Sequence, residues 1–96
     1  MTKELGLYPA TIFHRPNGRQ TEIEIRKIYK DDASWLKSKN IALSLEDTGA
    51  FFVLYFDYGK KDEDGEPIEF IETVGENKSC EDAIASAVVK LKEIVT

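Results

Sequence analysis

The run Phe51-Phe52-Val53-Leu54-Tyr55-Phe56-Asp57-Tyr58 constrains the fold more than any other stretch of the chain. Successive side chains of a strand point to opposite faces of a sheet. Here Phe51, Val53 and Tyr55 fall on one face and Phe52, Leu54, Phe56 and Tyr58 on the other. A strand covered on one side only alternates apolar with polar residues, and this one does not. It is therefore central with both faces covered, or its second face meets another molecule. Each large aromatic left in water exposes ~150–250 Å² of mainly apolar side chain. Phe52, Leu54, Phe56 and Tyr58, or else Phe51, Val53 and Tyr55, are therefore expected in a contact with a second molecule, a homodimer being the simplest case, unless the short helix and first hairpin fold over the second face and bury it within the monomer.

The rest of the chain supplies partners for this strand. Residues 1–7 lack periodicity and are expected to fray. Residues 8–14 read as a first strand, with Pro9 at its start or on a sheet edge because proline donates no ladder hydrogen bond. Arg15-Pro16-Asn17-Gly18-Arg19 is a turn signal. Residues 20–29 alternate, with Thr21, Ile23 and Ile25 inward, and the phase breaks at Lys27-Ile28, as at a bulge. Asp31 or Asp32 then caps a short helix over 32–39, which buries Trp35, Leu36 and Ala33 and ends at a left-handed Asn40. Ile41, Leu43 and Leu45 make a half-buried strand. Asp47-Thr48-Gly49 turns into the aromatic strand 50–58, Gly59 to Pro67 is a charged loop, and 67–74 is the last strand. Gly75 to Lys78 turns into a helix capped by Ser79 with Asp82 in an S-x-x-D box. Its stripe is Cys80, Ala83, Ile84, Ala87, Val88, Leu91, Ile94 and Val95.

The order β-β-α-β-β-β-α implies an α+β fold: one domain over 1–96, a mainly antiparallel sheet of about five strands, and the C-terminal helix on one face. With 96 residues there is room for one core. No apolar run approaches the ~18 residues that span a bilayer. The single cysteine forms no intrachain disulfide, which together with the absence of an apolar leader suggests a cytoplasmic setting.

Charge narrows the partners. Net charge is −5. Residues 1–60 carry nine Lys/Arg and eight Asp/Glu, residues 61–82 carry two and nine, and residues 83–96 carry two and one. The acidity thus sits around the last strand and the start of the last helix, and it repels nucleic-acid phosphates. Arg15, Arg19, Arg26, Lys27 and Lys30, near His14 and Tyr29, form the one candidate nucleic-acid surface, interrupted by Glu22 and Glu24.

No catalytic or cofactor-binding constellation stands out. Cys80 opens a helix, where the dipole lowers a thiol pKa, but Glu81 and Asp82 oppose it and its place on the apolar stripe reads as structural. His14 is the only histidine, at a hairpin end. Asp62-Glu63-Asp64-Gly65 suggests a calcium loop, but an EF-hand alignment puts Lys60 and Ile71 at ligand positions, so no metal site is expected. Asp57 with Glu69 or Glu72 is the carboxylate pair that an acid–base enzyme would use. Three strands followed by a helix opening Ser-Cys-Glu-Asp-Ala-Ile resemble the double-stranded-RNA-binding domain in outline. That family uses a basic cluster at this helix start, where the chain has Glu81 and Asp82, so the resemblance implies no RNA binding. Phe51 to Asp57 with Ser79 to Leu91 is also similar to the sheet-to-helix step of HicB-type antitoxins, over less than half the chain. The reading is a non-enzymatic protein-interaction or oligomerising module without cofactor. A nucleic-acid-associated accessory protein using the first hairpin is the second reading, and a carboxylate-dependent enzyme the third.

Overall fold

The computed structural model describes residues 4–15, 17–75 and 79–95. Residues 1–3 of the expected frayed start, Pro16 of the first turn and residues 76–78 of the turn before the last helix lie outside the described residues. The elements are β1 (Leu5–His14), β2 (Arg19–Tyr29), α1 (Lys30–Ser38), β3 (Ala42–Asp47), β4 (Phe52–Lys61), β5 (Pro67–Val74) and α2 (Cys80–Val95). The α+β order read from the sequence is the order observed. The five strands form one sheet in the order β2-β1-β3-β4-β5. β1 and β3 run parallel and every other pair is antiparallel. Residues 5–7, expected to fray, are strand, with Leu5 opposite Tyr29.

Both helices contribute to one core against one sheet face. Tyr8, Leu43, Leu45, Leu54 and Phe56 are buried there beneath Ala33 and Leu36 of α1 and Ala83, Ile84, Ala87, Val88 and Leu91 of α2. Ile94, expected on the same stripe, is instead 41% exposed, while Val95 beside it packs against the core. Lys90 Nζ lies 3.7 Å from Glu72 Oε2 and 5.9 Å from the Phe70 ring, so its stem covers the apolar border while its charge stays in water.

Pro9 stands mid-strand in β1, an interior strand of the sheet, and not at a strand start or outer edge. The reason lies in the β1–β3 ladder, which pairs only Thr11–His14 with Ser44–Asp47. The Arg15 N–H donates to the Asp47 carbonyl at 2.9 Å. Carried down the two strands in steps of two, the same offset would pair the N–H of residue 9 with the carbonyl of Ile41. Proline has no N–H. The Tyr8 hydroxyl donates to the Ile41 carbonyl instead. At Pro9 the strands have parted, so β1 is locally an edge on that side.

Two other local features follow the sequence. Arg26 and Lys27 of β2 both face the single residue Leu7, which is the expected bulge. At the end of α1, Asn40 has φ 54°, its N–H donates to the Lys37 carbonyl, and the Ile41 N–H donates to the Leu36 carbonyl. That is a Schellman closure around a left-handed asparagine. The start of α1 differs from expectation. The helix begins at Lys30, without a side-chain cap, and Asp31 and Asp32 lie in its first turn. The Lys30 N–H, otherwise an orphan of the first turn, donates to the Glu4 carbonyl at 2.9 Å.

Candidate functional site: the open face of the sheet

Strand register assigns every sheet residue to a face. One row across the sheet reads Glu22, Thr11, Ser44, Tyr55, Ile71. The row beside it reads Gln20, Phe13, Glu46, Val53, Thr73. On its other side Glu24 pairs with Pro9 and Ala42 with Asp57 and then Glu69. None of these residues is buried. They form the face opposite the helices.

This face carries an apolar cluster on β4 and β5 with carboxylates beside it. Ile71 is 57% exposed, with Tyr55 and Val53 half-buried next to it, and Phe13 is 39% exposed two strands away. Glu22, Glu24, Asp57 and Glu69 lie at the margin, and Glu46 stands between Phe13 and Val53. Arg15 reaches Glu46 at 3.5 Å. A depression of about 610 Å³ opens where β1 and β3 part, lined by Pro9, Thr11, Ala42, Glu22 and Glu24 among others. Asp57 and Glu69 are direct cross-strand neighbours here, whereas Glu72 lies on the helix-covered face opposite Leu54.

The aromatic strand is thus central, and its two faces have different fates. Leu54 and Phe56, expected in an intermolecular contact, are fully buried under the helices and cannot reach a second molecule. Tyr58 is half-buried against the same core, and Phe52 is 40% exposed at the end of that face. The other set is the one left open: Val53 and Tyr55 lie half-buried on the uncovered face, and Phe51, just before β4, is 44% exposed. The first hairpin does not fold over it, because β2 and β1 extend the sheet edgewise.

The five cations of the first hairpin do not make one patch. Arg15 and Arg19 stand at the turn, while Arg26, Lys27 and Lys30 lie at the bulge and the start of α1. Arg19 and Lys27 are eight positions apart on one strand, roughly 26 Å. Glu22 and Glu24 lie between them, and Lys30 pairs with Glu4 at 3.6 Å.

The remaining candidates are accounted for by packing. His14 Nδ1 lies 3.3 Å from Asp47 Oδ2, its neighbour in the parallel ladder. Cys80 borders a largely apolar recess of about 440 Å³ with Ile25, Leu45, Phe52 and Val74, a lining that does not include His14. Burial, then the charge of Glu81, raises the Cys80 thiol pKa, and Lys27 only partly offsets this. A raised pKa keeps the thiol protonated and unreactive near neutrality. The Asp62 carboxylate accepts the N–H groups of Asp64 and Glu66, both at 2.9 Å, so it builds the β4–β5 turn. No group of three or more metal-ligating side chains occurs among the described residues. Among the same residues no helix is long and apolar enough to cross a membrane.

The sequence pointed to strand 50–58 but not to the site's outline. Phe13 and Ile71 join Val53 and Tyr55 only through the register of four strands. The sequence signal for Ile71 was its break in the alternation of β5. No protein-family model, curated protein or solved structure matches the chain.

Proposed function

We propose that this protein is a binding module that engages another protein through the open face of its sheet. The observation that carries this reading is the apolar cluster Val53, Tyr55 and Ile71, with Phe13 across Glu46, left uncovered while both helices pack on the opposite side. Exposed apolar patches with a polar rim are where proteins meet partners, and a tyrosine at the centre of such a patch is the residue type that dominates binding energy. The rim selects the partner. Glu22, Glu24, Asp57 and Glu69 beside the cluster attract a surface that is basic at its margin and apolar at its centre. Two copies placed face to face would set these carboxylates against their own kind, because a two-fold contact uses the same patch twice. A different protein of opposite charge therefore suits this face better than a second copy.

The test uses immobilised full-length protein to recover a partner, which is then purified and titrated. Tyr55→Lys is expected to weaken that complex by about 2 kcal/mol or more. Rising salt should slow its association, since the rim steers encounter. A partner that binds Tyr55→Lys as well as the wild type would overturn the assignment of this face.

A further inference from the structure

The two edges of the sheet are not alike. β2 presents exposed Glu22 and Glu24 and carries the Arg26–Lys27 bulge, which are features that stop a strand from joining another. β5 pairs regularly with β4 from Glu69 to Val74, exposes Ile68 and Ile71, and presents one exposed carboxylate, Glu69, in that stretch.

The direction of the β5 backbone follows from two separate hydrogen bonds. N–H and C=O of one residue leave a strand on the same side, and alternate residues on opposite sides. The Arg15–Asp47 bond turns Asp47 toward β1. Ser44 therefore faces β4, its partner Tyr55 faces β3, and Leu54 and its partner Glu72 face each other. At the hairpin, the Asp62 N–H donates to the Glu66 carbonyl at 2.9 Å, which sets Glu66 and every second residue after it toward β4. Both routes leave Glu69, Ile71 and Thr73 with their backbone groups turned outward. Pro67 belongs to the outward set, where its missing N–H breaks no bond within the sheet.

We infer that two copies of this chain join antiparallel along β5, about a two-fold axis at Ile71. The axis runs perpendicular to the sheet, so each face continues into the same face of the second copy. Ile71 then stands opposite Ile71, Glu69 opposite Thr73, Phe70 opposite Glu72, and Ile68 opposite Val74. No carboxylate directly faces a carboxylate, and the exposed isoleucines gain apolar neighbours. The adjacent registers are worse. An axis at Phe70 sets Pro67, which has no N–H, against the Thr73 carbonyl. An axis at Glu72 sets Glu72 against Glu72. The pairing would make the rows of the open face continuous, Tyr55 and Ile71 of one copy meeting Ile71 and Tyr55 of the other. It stands on the β5 edge alone and is independent of the binding reading above, because its test needs no partner protein.

Sedimentation of the full-length wild type across micromolar to millimolar concentration should show a monomer–dimer equilibrium. Thr73→Pro removes an outward N–H and should sediment as a monomer with an unchanged circular dichroism spectrum. Ile71→Lys, which leaves the backbone intact, should do the same. On a Cys80→Ser background, Ile71→Cys should form a covalent dimer under mild oxidation, since Cα atoms of such a pair lie about 5.5 Å apart, within disulfide reach. Glu69→Cys alone should not cross-link. A wild type that stays monomeric, a dimer that survives Ile71→Lys, or cross-linking through Glu69→Cys as readily as through Ile71→Cys would overturn the inference.

Discussion

Tyr8 shows how one side chain can repair a backbone defect. Pro9 removes a donor from an interior strand, and the neighbouring hydroxyl supplies the Ile41 carbonyl with another. Tyr8→Phe keeps the ring in the core but leaves that carbonyl without its hydroxyl donor. The expected loss is ~1–3 kcal/mol, the penalty for an unpaired buried acceptor. A chemical-denaturation midpoint at pH 8 equal to that of the wild type would contradict the substitution of one donor for the other. The same residue has a pH signature. Burial raises the Tyr8 pKa above the ordinary 10.0. A raised folded-state pKa means that the contribution is fully present below pH 10 and is lost as pH climbs through the folded-state value. Tyr29 is shifted the same way, first by its hydrogen bond to Asp82, so the wild type should weaken in alkali through both groups. Tyr8→Phe should weaken less steeply between pH 9 and 11 (a range set around the ordinary tyrosine value of about 10).

At the scale of elements, the apolar stripe of α2 is unevenly buried. Leu91 is fully buried, and Leu91→Ala should cost ~2–5 kcal/mol through lost contact and the cavity left behind. Ile94 belongs to the same helical stripe in sequence but is exposed, so Ile94→Ala should stay within about 0.5 kcal/mol. Urea denaturation of the two variants side by side checks this difference, and equal losses would contradict it. Most elements were legible beforehand, because hydrophobic period, the Asn40 terminator, the Ser79 cap and the bulge at Lys27 are local signals. Asp82 donates its N–H to Ser79 Oγ at 3.3 Å, as the box predicts, while its carboxylate accepts from Tyr29. The start of α1 was not legible. Its first N–H is satisfied by Glu4, far away in sequence, and no local pattern encodes that bond.

At the scale of the whole molecule, charge and topology decide which surfaces are available. The cations of the first hairpin are spread along its length, and net charge is −5. The protein is therefore expected to be retained weakly on DNA or RNA near physiological salt. Tight, salt-sensitive retention that Arg15→Ala and Arg19→Ala abolish would bring the nucleic-acid reading to the front.

The sequence by itself determined the element order and the α+β class, because these rest on spacing along the chain. It also located the acidic segment and showed that one face of strand 50–58 would need explaining. Only the tertiary structure decided which face. The helices follow the two opposite edge strands, α1 after β2 and α2 after β5, and both pack on the same side. That choice buried Leu54 and Phe56 and left Val53 and Tyr55 open. The β4–β5 register set Ile71 beside Tyr55, and the parallel β1–β3 pair set Phe13 on the same face across Glu46. Alternation tells a strand that it has two faces. Which one a helix covers depends on contacts between residues far apart in sequence, and no periodicity records those.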